Sequence, residues 1–161
     1  MPFYKDNQGR LYFLDDEAFE HLLPAGCIHI TDEEGHAMQR PTIEQAKAAK
    51  WDFIKAERDR RTEQGGYKVG AHWFHSDQKS RSQQLGLVLL GASIPANLQW
   101  KTMDGSFVTM TQQLAGQVLA AAAASDQAIF AAAEAHRQAM EASADPAAYD
   151  FSSGWPKVFG E

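Results

Sequence analysis

Between Thr111 and roughly Ala142 the chain has little choice but to form one long helix. Leu114, Val118, Ala122, Ile129, Ala133 and Met140 recur at helical spacing. The run from 120 to 124 is alanine throughout, the strongest helix former. Thr109 or Thr111 supplies the starting cap. At ~1.5 Å per residue the helix is about 45 Å long, so the rest of a 161-residue chain must arrange itself along it. A second helix is expected over residues 43–63. Pro41 and Glu44 favour its start, Gly65-Gly66 stops it, and Ile43, Ala46, Lys50, Phe53, Ile54 and Glu57 mark one face. The two helices are expected to lie against each other.

Short strands account for most of the remainder. Phe3-Tyr4 and residues 11–14 flank the polar stretch Asp6-Asn7-Gln8-Gly9, a hairpin whose left-handed backbone is assigned to residues 7–9. Asp15 or Asp16 caps a short helix ended by Pro24-Ala25-Gly26. A third strand over 27–30 and a Thr31-capped helical turn to about Gln39 complete a small head. Residues 67–69 and 72–75 flank Gly70-Ala71, a type II′ hairpin signature. Ser76 or Asp77 then caps a helix carrying Leu85, Val88, Leu89 and Ala92, closed by Gly91 and Pro95. In LQWKTMDGSFVTMT, Asp104-Gly105 reads as a type I′ turn, which sets Thr102 opposite Phe107 and Trp100 opposite Thr109.

The fold expected is α+β: a small β-rich N-terminal head over 1–40, then two β-hairpins packed with two long helices and one shorter helix over 41–144. Residues 145–161 form an aromatic tail, carrying Tyr149, Phe151, Trp155 and Phe159. Aromatics in an otherwise polar segment either fold back or insert into a partner, and both readings stand.

Chemistry-bearing motifs are few. HWFH sets His72 and His75 on a strand, where they point to opposite faces and cannot share a metal as two histidines at i and i+4 on a helix can. Cys27 is the one cysteine, so no intrachain disulfide forms, and its apolar strand pattern reads as an inert thiol. No GxSxG, phosphate-cradling loop or GxGxxG is present. No catalytic residue, cofactor or metal is therefore assigned. The formal charge of −6 argues against attraction to a nucleic-acid backbone, and KAERDRR (55–61) alternates its signs as a solvated helix face does. The apolar run before Ser125 is too short for a membrane span. No signal peptide is read in the first ten residues, and a soluble, cytoplasmic protein is expected. The alanine-rich helix leaves room for a homo-oligomer seam.

The order WDFIKAERDRR, GG, a hairpin closing with WFHSD, then SR resembles a phage-tail-associated domain of unknown function. WKTMDGSFVTMT and the helix AAAAASDQAIFAAAEAHRQAMEA continue that resemblance, over roughly residues 42–143. FYKDNQGRLYFL and LPAGCIHITDEE are similar to the amino-terminal part of the tail-fibre assembly proteins of phages, prophages and phage-tail-like bacteriocins. The resemblance implies a chaperone rather than an enzyme, in the host bacterium's cytoplasm. It would bind the C-terminal trimeric region of a phage tail-fibre protein and aid its folding or trimerisation. A permanent structural piece of the tail or baseplate, retained in the virion, is the alternative; a nucleic-acid-contacting module is a third. Phe3, Tyr4, Tyr12 and Phe13 of the first hairpin, with Tyr149, Phe151, Trp155 and Phe159 of the tail, are the expected contact residues, since aromatics dominate interface energetics.

Overall fold

A computed structural model describes residues 2–161. The architecture is mixed α+β, with a small β-rich region first and the long helices after it. It divides into two compact units, Met1–Ala46 and Lys47–Glu161.

In the first unit, β1 (Phe3–Lys5) lies between β2 (Leu11–Phe13) and β3 (Ile28–Ile30) in an antiparallel sheet. Phe3 sits opposite both Phe13 and Ile30. Successive side chains of a strand leave opposite faces, and β1 uses both. The Phe3 ring packs on α1 (Asp32–Gln39), where it would collide with a side chain at Gly35 and meets His36 edge-on at 5.1 Å. The Tyr4 hydroxyl donates 2.7 Å to Glu20 in the short 3-10 helix Glu17–Leu22. Thr31 and Glu34 close a reciprocal capping box at the start of α1. The first turn departs from expectation in one respect. Only Gly9 takes a positive φ, and Asn7 does not. Asp6 makes the left-handed step at Asn7 unnecessary, because its carboxylate accepts from the Gln8 and Arg10 amides and organises a three-residue loop.

The second unit is built on α2 (Ile43–Gln64, its first residues counted with the first unit), α3 (Gln78–Leu90) and α4 (Gln112–Glu141). Two hairpins join them: β4 (Tyr67–Val69) with β5 (His72–Phe74), and β6 (Gln99–Lys101) with β7 (Phe107–Thr109). Thr111 caps α4, and its buried stripe includes Val118, Ala122, Ile129, Ala133 and Met140. Its closest backbone neighbours are α3 and β4. The expected α2–α4 pairing is instead a side-chain contact towards the far end of α4, where Ile54 meets Ala133 and Met140. By length and composition α4 could also cross a membrane. Core helices share that property, and here its stripe packs on Tyr67, Phe74 and Leu87.

Two helix faces differ from expectation. On α2, Ile54 and Arg61 are buried while Ile43 and Phe53 are exposed. On α3, Gln84 and Leu87 are buried while Leu85 and Leu89 are exposed. The cause is the same in both: a polar side chain occupies the interior because a specific partner awaits it. Arg61 binds Glu57, Glu161 and the Pro156 carbonyl, and Gln84 meets the Tyr67 hydroxyl and donates to the His75 carbonyl.

The register of β6–β7 is also one residue away from expectation. Trp100 faces Val108, and Lys101 faces Phe107. A type I′ turn needs positive φ at two successive residues, but only Gly105 has it, at 85°. Asp104 accepts from the Ser106 amide and the Thr102 hydroxyl, which holds a three-residue loop closed by Thr102 and Ser106. That one-residue slip exchanges the faces of the strand. The Gly70-Ala71 turn does have the type II′ sign pattern, with Gly70 at φ 60 and no positive φ at Ala71.

Residues after α4 fold back onto the second unit. Tyr149, Phe151 and Trp155 join Trp51 around Ile54 and Met140, and Val158 is buried. The Phe159 amide donates to the Gly65 carbonyl at 2.8 Å.

Candidate functional site

The residues that carry the resemblance hold the scaffold together. Arg81 of α3 donates twice to Asp126 of α4, at 2.7 and 2.8 Å, and also to the carbonyls of Thr62 and Ser76. Its guanidinium lies 5.5 Å from the Tyr67 ring centre. One side chain thus ties the end of α2, the β5–α3 corner and the middle of α4. The Asp126 hydrogen bonds push the Arg81 pKa up. The Ser76 hydroxyl accepts from the Gly66 amide, and Asp77 caps α3 by accepting from the Ser80 amide and hydroxyl, which lowers its pKa. Thr102, Asp104 and Ser106 are spent on their turn, where the Thr102 hydroxyl bond leads in holding Asp104 down to about 2.

The expected strand over 72–75 ends at Phe74, so His72 lies on β5 and His75 falls beyond it, and the two histidines do not share one strand. Phe74 of HWFH is fully buried beside Tyr67, while His72 and Trp73 are half-buried. Among the described residues no group of three or more His, Cys, Asp or Glu is placed to hold a metal ion. Cys27 is half-buried and borders a small polar hollow with Tyr4, Glu20 and His29. The Tyr4 hydroxyl is already bonded there, and its hydrogen bond to Glu20 raises its pKa to about 12.

The sequence-predicted contact residues are scattered in environment. Phe3 and Tyr4 are core, and Tyr12 is half-buried with its hydroxyl on Asp6. Phe13 is exposed. In the second unit Tyr149, Phe151 and Trp155 are half-buried around His136, the Trp155 ring 4.9 Å from the imidazole. Phe159 is partly exposed and meets Trp73 edge-on. In each unit, then, a single expected aromatic stays exposed, Phe13 at 60 % in the first and Phe159 at 38 % in the second.

A different surface in the second unit is open and apolar. Gln83, Gly86, Leu87 and Leu90 of α3 face Leu98, Gln99 and Trp100 across a groove of about 600 Å³. None of the seven carries a charge. Leu90 is half exposed, and a side chain added at Gly86 would meet nothing within 4 Å, so the groove is unfilled at its middle. Trp100 backs it, packed on the core by its ring.

One wall of that groove is β6, whose outer edge is unpaired. Leu98 accepts from Met110, and Thr102 donates to Ser106. In an antiparallel ladder hydrogen-bonded pairs alternate with non-bonded ones. The peptide groups of Gln99 and Lys101 therefore point away from β7, and among the described residues no other strand pairs with β6. The next outward amide, Met103, is taken by the Trp73 carbonyl at 2.9 Å. The free edge is thus short and has a definite end. Sequence reading missed this site because the D-G turn was given a two-residue loop, which puts the opposite peptide groups outward.

Residues 45–153, about two thirds of the chain, match a protein family described as "Domain of unknown function (DUF4376)". No curated protein and no solved structure matches the chain.

Proposed function

The chain belongs to the DUF4376 family, and we propose that it is a binding protein acting as a tail-fibre assembly chaperone. The observation that carries the binding part is the α3–β6 groove, uncharged, leucine-lined and bounded by a strand with free peptide groups. A groove of this kind suits a polypeptide: apolar walls shield side chains, and the strand edge offers main-chain hydrogen bonds. Three polar side chains of the same unit, Arg81, Asp77 and Asp104, are committed to holding the fold.

The fibre as partner rests on the resemblance of FYKDNQGRLYFL and LPAGCIHITDEE to tail-fibre assembly proteins. A fibre that must trimerise exposes strand edges and apolar patches before it closes, and a binder that covers them keeps the chain soluble.

Co-expression with a phage tail-fibre gene tests the proposal. Soluble trimeric fibre with this protein and aggregate without it are the expected results. Equal fibre solubility in both cases overturns it. Recovery of this protein from purified particles, at a fixed ratio to the fibre, would favour a permanent tail component instead.

A further inference from the structure

Resting on that binding reading, we infer that the groove takes an extended, uncharged apolar segment of the fibre polypeptide as an added strand on β6, with a carboxylate at its Lys101 end. Four observations point to this occupant. The Gln99 and Lys101 peptide groups are turned outward from β7 and ask for a main-chain partner. The opposite wall is α3, with Leu87 and Leu90 flanking the gap over Gly86, so one side of the added strand would find apolar cover. The lining is uncharged, and a charge carried into it would lose its hydration without compensation. At the rim the strand itself supplies Lys101, exposed and without an ion-pair partner among the described residues. An acidic group on the occupant would complement it.

The Met103–Trp73 hydrogen bond closes the edge beyond Lys101, so the added strand is short. A second copy of this chain seated on the same edge would show as a concentration-dependent dimer in sedimentation, and that outcome overturns the fibre segment as occupant.

The test uses the intact protein and a synthetic acetylated peptide of eight residues, alternating valine and threonine and ending in aspartate. The readouts are calorimetric binding and amide hydrogen exchange. Binding with at least tenfold slower exchange at the Gln99 and Lys101 amides is expected. Gly86→Leu places its Cβ in open space and its branched end in the groove; it should abolish binding while the melting temperature holds. Methylating alternate peptide nitrogens of the probe should also abolish it, and Lys101→Glu should weaken it about tenfold. Absence of binding, or binding indifferent to Gly86→Leu and to nitrogen methylation, overturns strand addition. In that event fibre still solubilised by co-expression would leave the chaperone reading standing, so the two failures are distinct.

Discussion

The Arg61 guanidinium donates a 2.9 Å hydrogen bond to the carbonyl of Pro156, and it also clasps Glu161. Arg61 is 6 % exposed, so the segment after α4 completes a buried ion-pair network as well as an apolar cluster. Ending the chain after Ala144 should therefore strip Ile54 and Met140 of their cover and cost more than ~4 kcal/mol, the scale of deleting a buried aromatic. Arg61→Ala alone should cost about 3 kcal/mol. Urea denaturation measures both, and a truncated chain as stable as the full one would refute this account of the tail.

Gly66 is the tightest position in the second unit. Its φ is 69°, and a Cβ there would lie 2.9 Å from the Phe74 carbonyl and collide with the Met103 sulfur. Gly66→Ala should lose about 3 kcal/mol from strain and displacement together. Gly86→Ala, with open space and no positive φ, should gain up to ~1 kcal/mol from helix propensity. Opposite signs from two identical substitutions are the expected result in paired urea titrations.

Asp104 gives the second unit an acid-side pH dependence. Its pKa falls from 3.8 to about 2 in the folded chain. A carboxylate depressed in this way adds stability above its unfolded value, and that stability is lost as pH drops through the folded value. Melting should therefore decline between pH 4 and pH 2, and Asp104→Asn should flatten that decline. A slope unchanged in the variant would mean that other carboxylates carry it.

The β6–β7 register can be read by cross-linking. Gln99 and Thr109 form a non-hydrogen-bonded pair, with Cα atoms about 4.5 Å apart in such pairs, within the ~4.4–6.8 Å a disulfide spans. In a Cys27→Ser background, Gln99→Cys with Thr109→Cys should oxidise to a cross-linked hairpin. Trp100→Cys with Thr109→Cys should not, because those side chains leave opposite faces. Mass spectrometry after mild oxidation decides between the two registers.

Helix caps and helix breaks are the most legible part of the sequence. Thr31 with Glu34, Asp77, Thr111 and the breaks at Gly65-Gly66 and Gly91 act through neighbours a few positions away, so a local pattern suffices to place them. Legibility ended where distant partners decide. Nothing local says that Arg61 and Gln84 belong inside while Phe53 and Leu89 face out, because Pro156 and Tyr67 settle it from elsewhere in the chain. The Asp104-Gly105 pair is compatible with two loop lengths, and the Thr102 and Ser106 side chains select between them. That choice in turn hid the site, since register decides which of the strand's peptide groups face outward.

The back-folding of Tyr149, Phe151 and Trp155 onto Ile54 also sets an order of events at the ribosome. A nascent chain that has emerged only through α4 still shows Ile54 and Met140 to water, and its second unit stays unfinished until about residue 158 is free to dock. Anything fused behind Glu161 that restrains Trp155 would act as a brake on that last step, so the placement of a purification tag decides whether a full-length product matures or aggregates.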